Sequence, residues 1–286
     1  LKFESTAGFE KYECLFTKKS IAHPAKMNLH LLSYLIERYS KPKDWILDPM
    51  AGTFSCPILA ALKDRNGVGI ELEQKFVEMG LKNKKKLDRL RIRDKGRCSI
   101  SQGDARFLSV LMAERGLLGI FDVVLTSPPY ANPRSTTQEY DDKYDLRRPK
   151  GIKWGRESFR GRYSCNREDS RQIGNLKGEQ YLEAMEEVYN ECRKVLTENG
   201  LMVLVLKNFI RRKKVVHLDL ETIKLCENIG FLLKERLRFR LPFQSFWRTN
   251  YHMKYPEVEK IEFEDILVFQ KSKRIVNELS MGEGKK

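Results

Sequence analysis

The chain has 286 residues, 41% of them hydrophobic and 10% aromatic, which is enough for a packed core and too much for a disordered or collagen-like protein. Fifty-four Lys and Arg against 39 Asp and Glu leave a net charge of +15, which points to a polyanionic partner, nucleic acid ahead of an anionic membrane surface. The six cysteines are scattered, with no Cys-x-x-Cys and no His–Cys group at zinc spacing, so the expectation is reduced thiols, no metal site and a cytoplasmic protein. The longest apolar run, residues 201–206, is much too short to span a bilayer.

In chain order, the turn His23-Pro24-Ala25-Lys26 leads into a helical pattern over residues 29–39. Residues 45–47 read as a buried strand ending at Asp48, and residues 55–63 as a helix. Residues 67–71 form a second strand, 74–90 a Lys-rich helix, 97–101 a third strand and 121–126 a fourth. Residues 179–196 are an amphipathic helix with Tyr181, Met185, Val188, Tyr189 and Cys192 on one side, stopped by Asn199-Gly200. A strand over 201–207, a helix over 218–228 and two strands over 231–241 and 261–270 complete the pattern. Alternating strands and helices predict an α/β fold, one domain over 1–286: a mainly parallel sheet of seven strands, helices on both faces and an antiparallel final pair. Residues 131–177 lack periodicity and read as a basic loop insertion, and 276–286 as a flexible tail.

Ligands in such sheets bind at the carboxyl ends of the strands, and those ends carry the informative residues. The loop Asp48-Pro49-Met50-Ala51-Gly52-Thr53-Phe54-Ser55 leaves a strand and enters a helix, so its N–H groups suit a ligand carboxylate or phosphate. Glu71, with Leu72 beside it, stands where nucleoside-binding folds place an acid for the ribose hydroxyls. Gly103-Asp104-Ala105 follows the third strand, where the Asp104 carboxylate or the adjoining backbone suits an adenine amino group. Singly, these are ordinary loop acids; at three successive strand ends they outline a nucleoside site.

Thr126-Ser127-Pro128-Pro129-Tyr130 closes the fourth strand. Consecutive prolines stiffen the backbone and leave carbonyls without neighbouring N–H groups. A carbonyl beside the Ser127 hydroxyl makes a paired acceptor for the two hydrogens of an exocyclic amine, and Tyr130 offers a face for a base to stack on. A plain proline turn has the same composition; its place downstream of a nucleoside-type site is what favours chemistry.

Together these residues resemble the N4-cytosine/N6-adenine amino-methyltransferases of nucleic acids. His23-Pro24-Ala25-Lys26 is similar to that family's leading motif, Asp48-Pro49-Met50-Ala51-Gly52 to its cofactor loop and Thr126-Ser127-Pro128-Pro129-Tyr130 to its catalytic motif. The resemblance implies a Rossmann-like class I methyltransferase fold with S-adenosylmethionine as cofactor. It implies a cofactor site of His23, Pro24, Lys26, the loop from Asp48 to Ser55, Glu71, Leu72, Gly103, Asp104, Ala105 and Thr126. Ser127, Pro128, Pro129 and Tyr130 become the catalytic residues. Serine at the first catalytic position is the form linked to cytosine N4, whereas Asp or Asn is more typical of adenine N6. One residue departs from the pattern: Phe54 stands where the family has its second loop glycine. Its side chain either obstructs the approach of the cofactor, leaving a nucleic-acid-binding protein with a weakened site, or turns into the core.

A base inside a duplex must leave the stack to be reached. The gripping surface expected for it is the insertion, through Arg134, Arg147, Arg148, Lys153, Trp154, Arg160, Arg162 and Tyr163, although acids in the same stretch cancel part of the charge. Trp247 and Tyr251, between the last two strands, offer a second surface or aromatic packing. DNA is the favoured partner. Structured RNA remains an alternative, because the chain has no separate recognition domain and RNA is recognised by shape.

Overall fold

The computed structural model describes residues 1, 8, 12–21, 27–129, 171–176, 178–241 and 251–272. Helices α1 (Lys18–Ile21) and α2 (Leu29–Tyr39) precede β1 (Trp45–Asp48), α3 (Ser55–Leu62), β2 (Asn66–Glu71), α4 (Gln74–Arg89) and β3 (Cys98–Gln102). Then come α5 (Leu108–Ala113), β4 (Phe121–Thr126), α6 (Glu179–Val195), β5 (Leu196–Leu206), β6 (Phe209–Arg211) and β7 (Lys214–Val216). The chain continues through α7 (Leu218–Asn228), β8 (Phe231–Arg240) and β9 (Phe263–Lys271).

Seven strands form one sheet in the order β3-β2-β1-β4-β5-β9-β8. Strands β1 to β5 pair in parallel, and β9 runs antiparallel between β5 and β8. The order reverses between β1 and β4, which sets the crevice of a doubly wound sheet at the carboxyl ends of those two strands.

Alternation within the strands explains the layers. Val123 and Leu125 of β4 and Val203 and Val205 of β5 join α2 and α3 in one core. Val124, Met202 and Leu204 face the other way and pack with Met185, Val188 and Tyr189 of α6. Both faces of these strands are covered, so they read as continuous apolar runs. Tyr189 is buried among apolar groups, which raises its hydroxyl pKa.

Three sequence expectations change. Helix α6 stops at Val195, because Leu196 takes an extended backbone and pairs with Phe121; strand pairing overrides the Asn199-Gly200 stop signal. Gly200 then fits a tight bend, where a Cβ would lie 2.8 Å from Leu196. Helix α5 and the β6–β7 hairpin were not expected, since one is too short for a periodic signal and the other is dominated by cations. The final pair is antiparallel as expected, with β9 beside β5 and β8 at the edge.

Candidate active site

The chain turns sharply between β1 and α3, and the turn is held through its backbone N–H groups. Asp48 Oδ1 accepts the Met50 N–H at 3.2 Å, and the Ala51 N–H donates to the Ile70 carbonyl at 2.9 Å. Gly52 adopts φ +53°, and a Cβ there would meet nothing within 4 Å, so the loop has an open face. The Gly52 N–H donates to Glu71 Oε2 at 2.8 Å, and Glu71 Oε1 accepts the Glu73 N–H at 2.9 Å. The Glu71 carbonyl accepts the Gly103 N–H at 3.0 Å. Glu71 therefore ties together the loops after β1, β2 and β3. Pro49, Ala51 and Thr53 are buried under this loop, while Met50, Gly52 and Ser55 are half-buried. Leu72 is also half-buried and its carbonyl accepts Gln102 Nε2 at 3.1 Å.

Burial dominates the electrostatics. The Asp48 carboxyl is pushed up to about 7 by burial, with the Thr126 hydroxyl and the Met50 N–H opposing and the Glu71 charge adding. Glu71 is likewise pushed up to about 7 by burial, opposed by the N–H groups of Glu73 and Gly52. Thr126 Oγ1 is buried and makes no hydrogen bond of normal geometry among the described residues, although it acts on the Asp48 carboxyl. A buried hydroxyl left short of a partner, two desolvated acids and an open glycine face suit a ligand carrying an ammonium group and hydroxyls. The residues thus fit the methionine and ribose parts of S-adenosylmethionine.

Asp104 is committed elsewhere. Its Oδ1 accepts the Arg106 N–H at 3.0 Å, and Oδ2 pairs with the Arg106 guanidinium at 2.7 Å. Of the two groups the sequence offers for an adenine contact, the Asp104 carboxylate is engaged by Arg106 and the Gly103 N–H by the Glu71 carbonyl.

Phe54 takes a left-handed backbone, φ 62° and ψ 31°, at the entry to α3. Its ring is fully buried and turned into the core rather than across the loop. The ring occupies a slot made by two glycines: a Cβ on Gly69 would come 2.5 Å from it and one on Gly80 2.2 Å. Gly80, inside α4, exists for this ring. Gly80→Ala should therefore lower stability by about 1–3 kcal/mol through overpacking, although alanine is by about 1 kcal/mol the better helix former. Denaturant melts measure this, and an unchanged midpoint would mean the ring has room to move.

Strand β4 delivers the second half of the site. Leu47 of β1 pairs with Val124, which brings the end of β4 level with Asp48, and Ser127-Pro128-Pro129 follow at once. Ser127 is half-buried and Pro128 buried. The Tyr181 hydroxyl of α6 donates to the Pro129 carbonyl at 2.9 Å. Tyr181 lies buried on the apolar face of its helix, as its spacing predicts, but nothing in the sequence shows what its hydroxyl does. That bond engages one lone pair of the Pro129 carbonyl and fixes the turn against α6. Tyr181→Phe should lower turnover about fivefold, the worth of one hydrogen bond of ~1 kcal/mol, and leave cofactor affinity at its parental value. Parental turnover in this variant would reduce Tyr181 to packing.

Several expected residues fall outside the described ones: His23, Pro24, Lys26, Tyr130, the insertion cations with Trp154 and Tyr163, Trp247, and the tail. Tyr251 is described and packs on Tyr255 with centroids 5.0 Å apart. Asn208, at the end of the strand beside β4, receives the Asp219 N–H at the start of α7.

The chain is similar to known proteins. DNA adenine methyltransferase YhdJ of Escherichia coli (strain K12) is 37% identical over 60 residues, 21% of this chain and 20% of that protein. Type II methyltransferase M2.MboI of Moraxella bovis is 42% identical over 57 residues, 20% of this chain and 21% of its own length. The match thus spans about a fifth of these curated relatives. Among solved structures, the [4+2]-cyclase SpnF superposes with a TM-score of 0.52 at 12% identity, covering 87% of this chain and 85% of that one, a likeness of fold alone. The family described as DNA methylase matches residues 8–82 and 121–284, which contain both the loop after β1 and the Ser127-Pro128-Pro129 turn. The chain therefore belongs to the N6/N4 family of DNA methylases.

Proposed function

We propose that the chain methylates the exocyclic amine of a base in DNA, cytosine N4 ahead of adenine N6. The observation that carries this reading is the Ser127-Pro128-Pro129 turn at the end of β4, level with the loop that contains Asp48 and Gly52. S-adenosylmethionine, the cofactor of this family, supplies an activated methyl group when bound. Asp48 and the buried Thr126 hydroxyl would receive its ammonium end, and Glu71 its ribose hydroxyls through lone pairs not used by Gly52 and Glu73.

An exocyclic amine is a poor nucleophile because its lone pair is delocalised into the ring. The Ser127 hydroxyl and the Pro128 carbonyl would each accept one amine hydrogen, which moves nitrogen towards sp³ geometry and frees the lone pair. The chain's contribution is then positioning and electrostatics, with no covalent intermediate on the protein. Tyr130 would hold the flipped base by stacking, worth about 1–3 kcal/mol. The surplus of cations, net charge +15, would supply phosphate contacts.

Serine at position 127 supports cytosine N4 through the family pattern. A second reading, adenine N6, is favoured by the printed name of one relative, an adenine methyltransferase 37% identical over 60 residues. Incubation with labelled cofactor and either genomic DNA or total RNA, followed by nucleoside mass spectrometry, tests both. N4-methylcytosine in the deoxynucleoside pool is expected. N6-methyladenine there would move the reading to the second base, and label confined to ribonucleosides would overturn DNA as the substrate.

A further inference from the structure

The hairpin of β6 and β7 breaks two local rules at once. Its register pairs Phe209 with Val216, Ile210 with Val215 and Arg211 with Lys214, so two like charges stand directly opposite each other. The two-residue turn is Arg212-Lys213, both at positive φ, 49° and 62°. That is the backbone of a type I′ turn, which Asn-Gly adopts without strain and Arg-Lys does not. Four consecutive cations, Arg211 to Lys214, therefore occupy the tip at a cost to stability. Local rules broken at a cost to stability mark segments kept for function.

Position gives the tip a purpose. Leu204 of β5 pairs with Thr126, and β5 runs on to Leu206 before the hairpin starts at Phe209. The hairpin therefore leaves the sheet from the edge that carries Ser127. It is also braced: Lys213 Nζ lies 4.2 Å from the Tyr255 ring centroid and 3.3 Å from Glu257 Oε1, and the Arg211 guanidinium packs over Phe209. The Glu257 pair is solvent-exposed and neutralises little. Arg211, Arg212 and Lys214 make no ion pair among the described residues. The result is a braced cationic finger beside the proposed methyl-transfer site, with three of its four charges in no ion pair among the described residues.

We infer that the β6–β7 hairpin grips the phosphate backbone of the DNA substrate. This rests on the proposed function and adds to it a docking element separate from the insertion. Two pairs of substitutions separate charge from turn structure. R212N/K213G removes two charges and supplies the residues a type I′ turn favours. R211Q/K214Q removes two charges and leaves the turn alone. K82Q/K85Q, on exposed positions of α4, is the control of equal net charge.

Binding of a mixed-sequence duplex oligonucleotide is followed across a salt series with S-adenosylhomocysteine present. Both hairpin variants should lose about two units of the salt slope, at ~0.9 per phosphate, and bind at least about tenfold more weakly near 0.1 M salt. R212N/K213G should do so with a raised Tm, which a merely damaged protein would not show. The control should keep the parental slope. A parental slope in the hairpin variants, or an equal loss in the control, overturns the proposal while the methylase reading stands. A parent that neither binds nor methylates DNA removes both.

Discussion

Ser127→Ala should depress turnover about a hundredfold, the usual cost of removing one preorganised partner of the reacting group. Cofactor affinity should stay at its parental value, since Ser127 lies after β4 and the cofactor loop after β1 is held by Glu71. The reason is geometric. One amine hydrogen would be taken by the Pro128 carbonyl, which the chain cannot lose by side-chain substitution. The other would be taken by Ser127 Oγ, and without it nitrogen keeps its planar, delocalised form. Single-turnover methylation of DNA and calorimetry with S-adenosylhomocysteine separate the two effects. Methylation at the parental rate would remove Ser127 from the mechanism, and a matching loss of cofactor affinity would make it part of the cofactor site instead.

The second large effect is on pH. Asp48 and Glu71 are both pushed up to about 7 by burial in the ligand-free chain. Their folded pKa values lie above the unfolded ones near 4, so the stability they contribute is full below pH ~4 and is lost as pH rises through about 7. An ammonium group and ribose hydroxyls favour the ionised carboxylates. Cofactor affinity should therefore rise with pH, about tenfold per unit below 7 for each proton that must leave, and level off above. Between pH 5.5 and 8 the gain should reach about thirtyfold for one proton. Asp48→Asn should weaken binding and flatten the profile. Titration calorimetry with S-adenosylhomocysteine at several pH values measures this, and a flat profile in the parent would mean that neither acid meets the ligand.

Much of this architecture is legible in the chain because strand and helix periods differ. Residues 121–126 and 201–206 are largely apolar, so both strands are legible: β4 has its predicted bounds, whereas β5 begins at Leu196, five residues before the predicted start. The loop after β1 was legible as a strand-to-helix turn because Pro49 and Gly52 are the punctuation such a turn needs. Helix α5 and the hairpin were not, because short elements depend on tertiary partners rather than on a repeated pattern. The Tyr181 hydroxyl was invisible for a related reason: its partner, the Pro129 carbonyl, lies 52 residues away, and backbone acceptors leave no mark in side-chain pattern.

By itself the sequence determined the parallel sheet, its order of strand-end acids, the Ser-Pro-Pro turn and the polyanion-seeking charge, since each is a local pattern or a sum over residues. Only the tertiary structure decided where Phe54 points, because the slot that receives its ring is assembled from Gly69 on a strand and Gly80 on a helix. It also decided that Asp104 is bound to Arg106 while Asp48 and Glu71 share a desolvated edge. Burial and distance set those roles, and both exist only once remote segments are packed together.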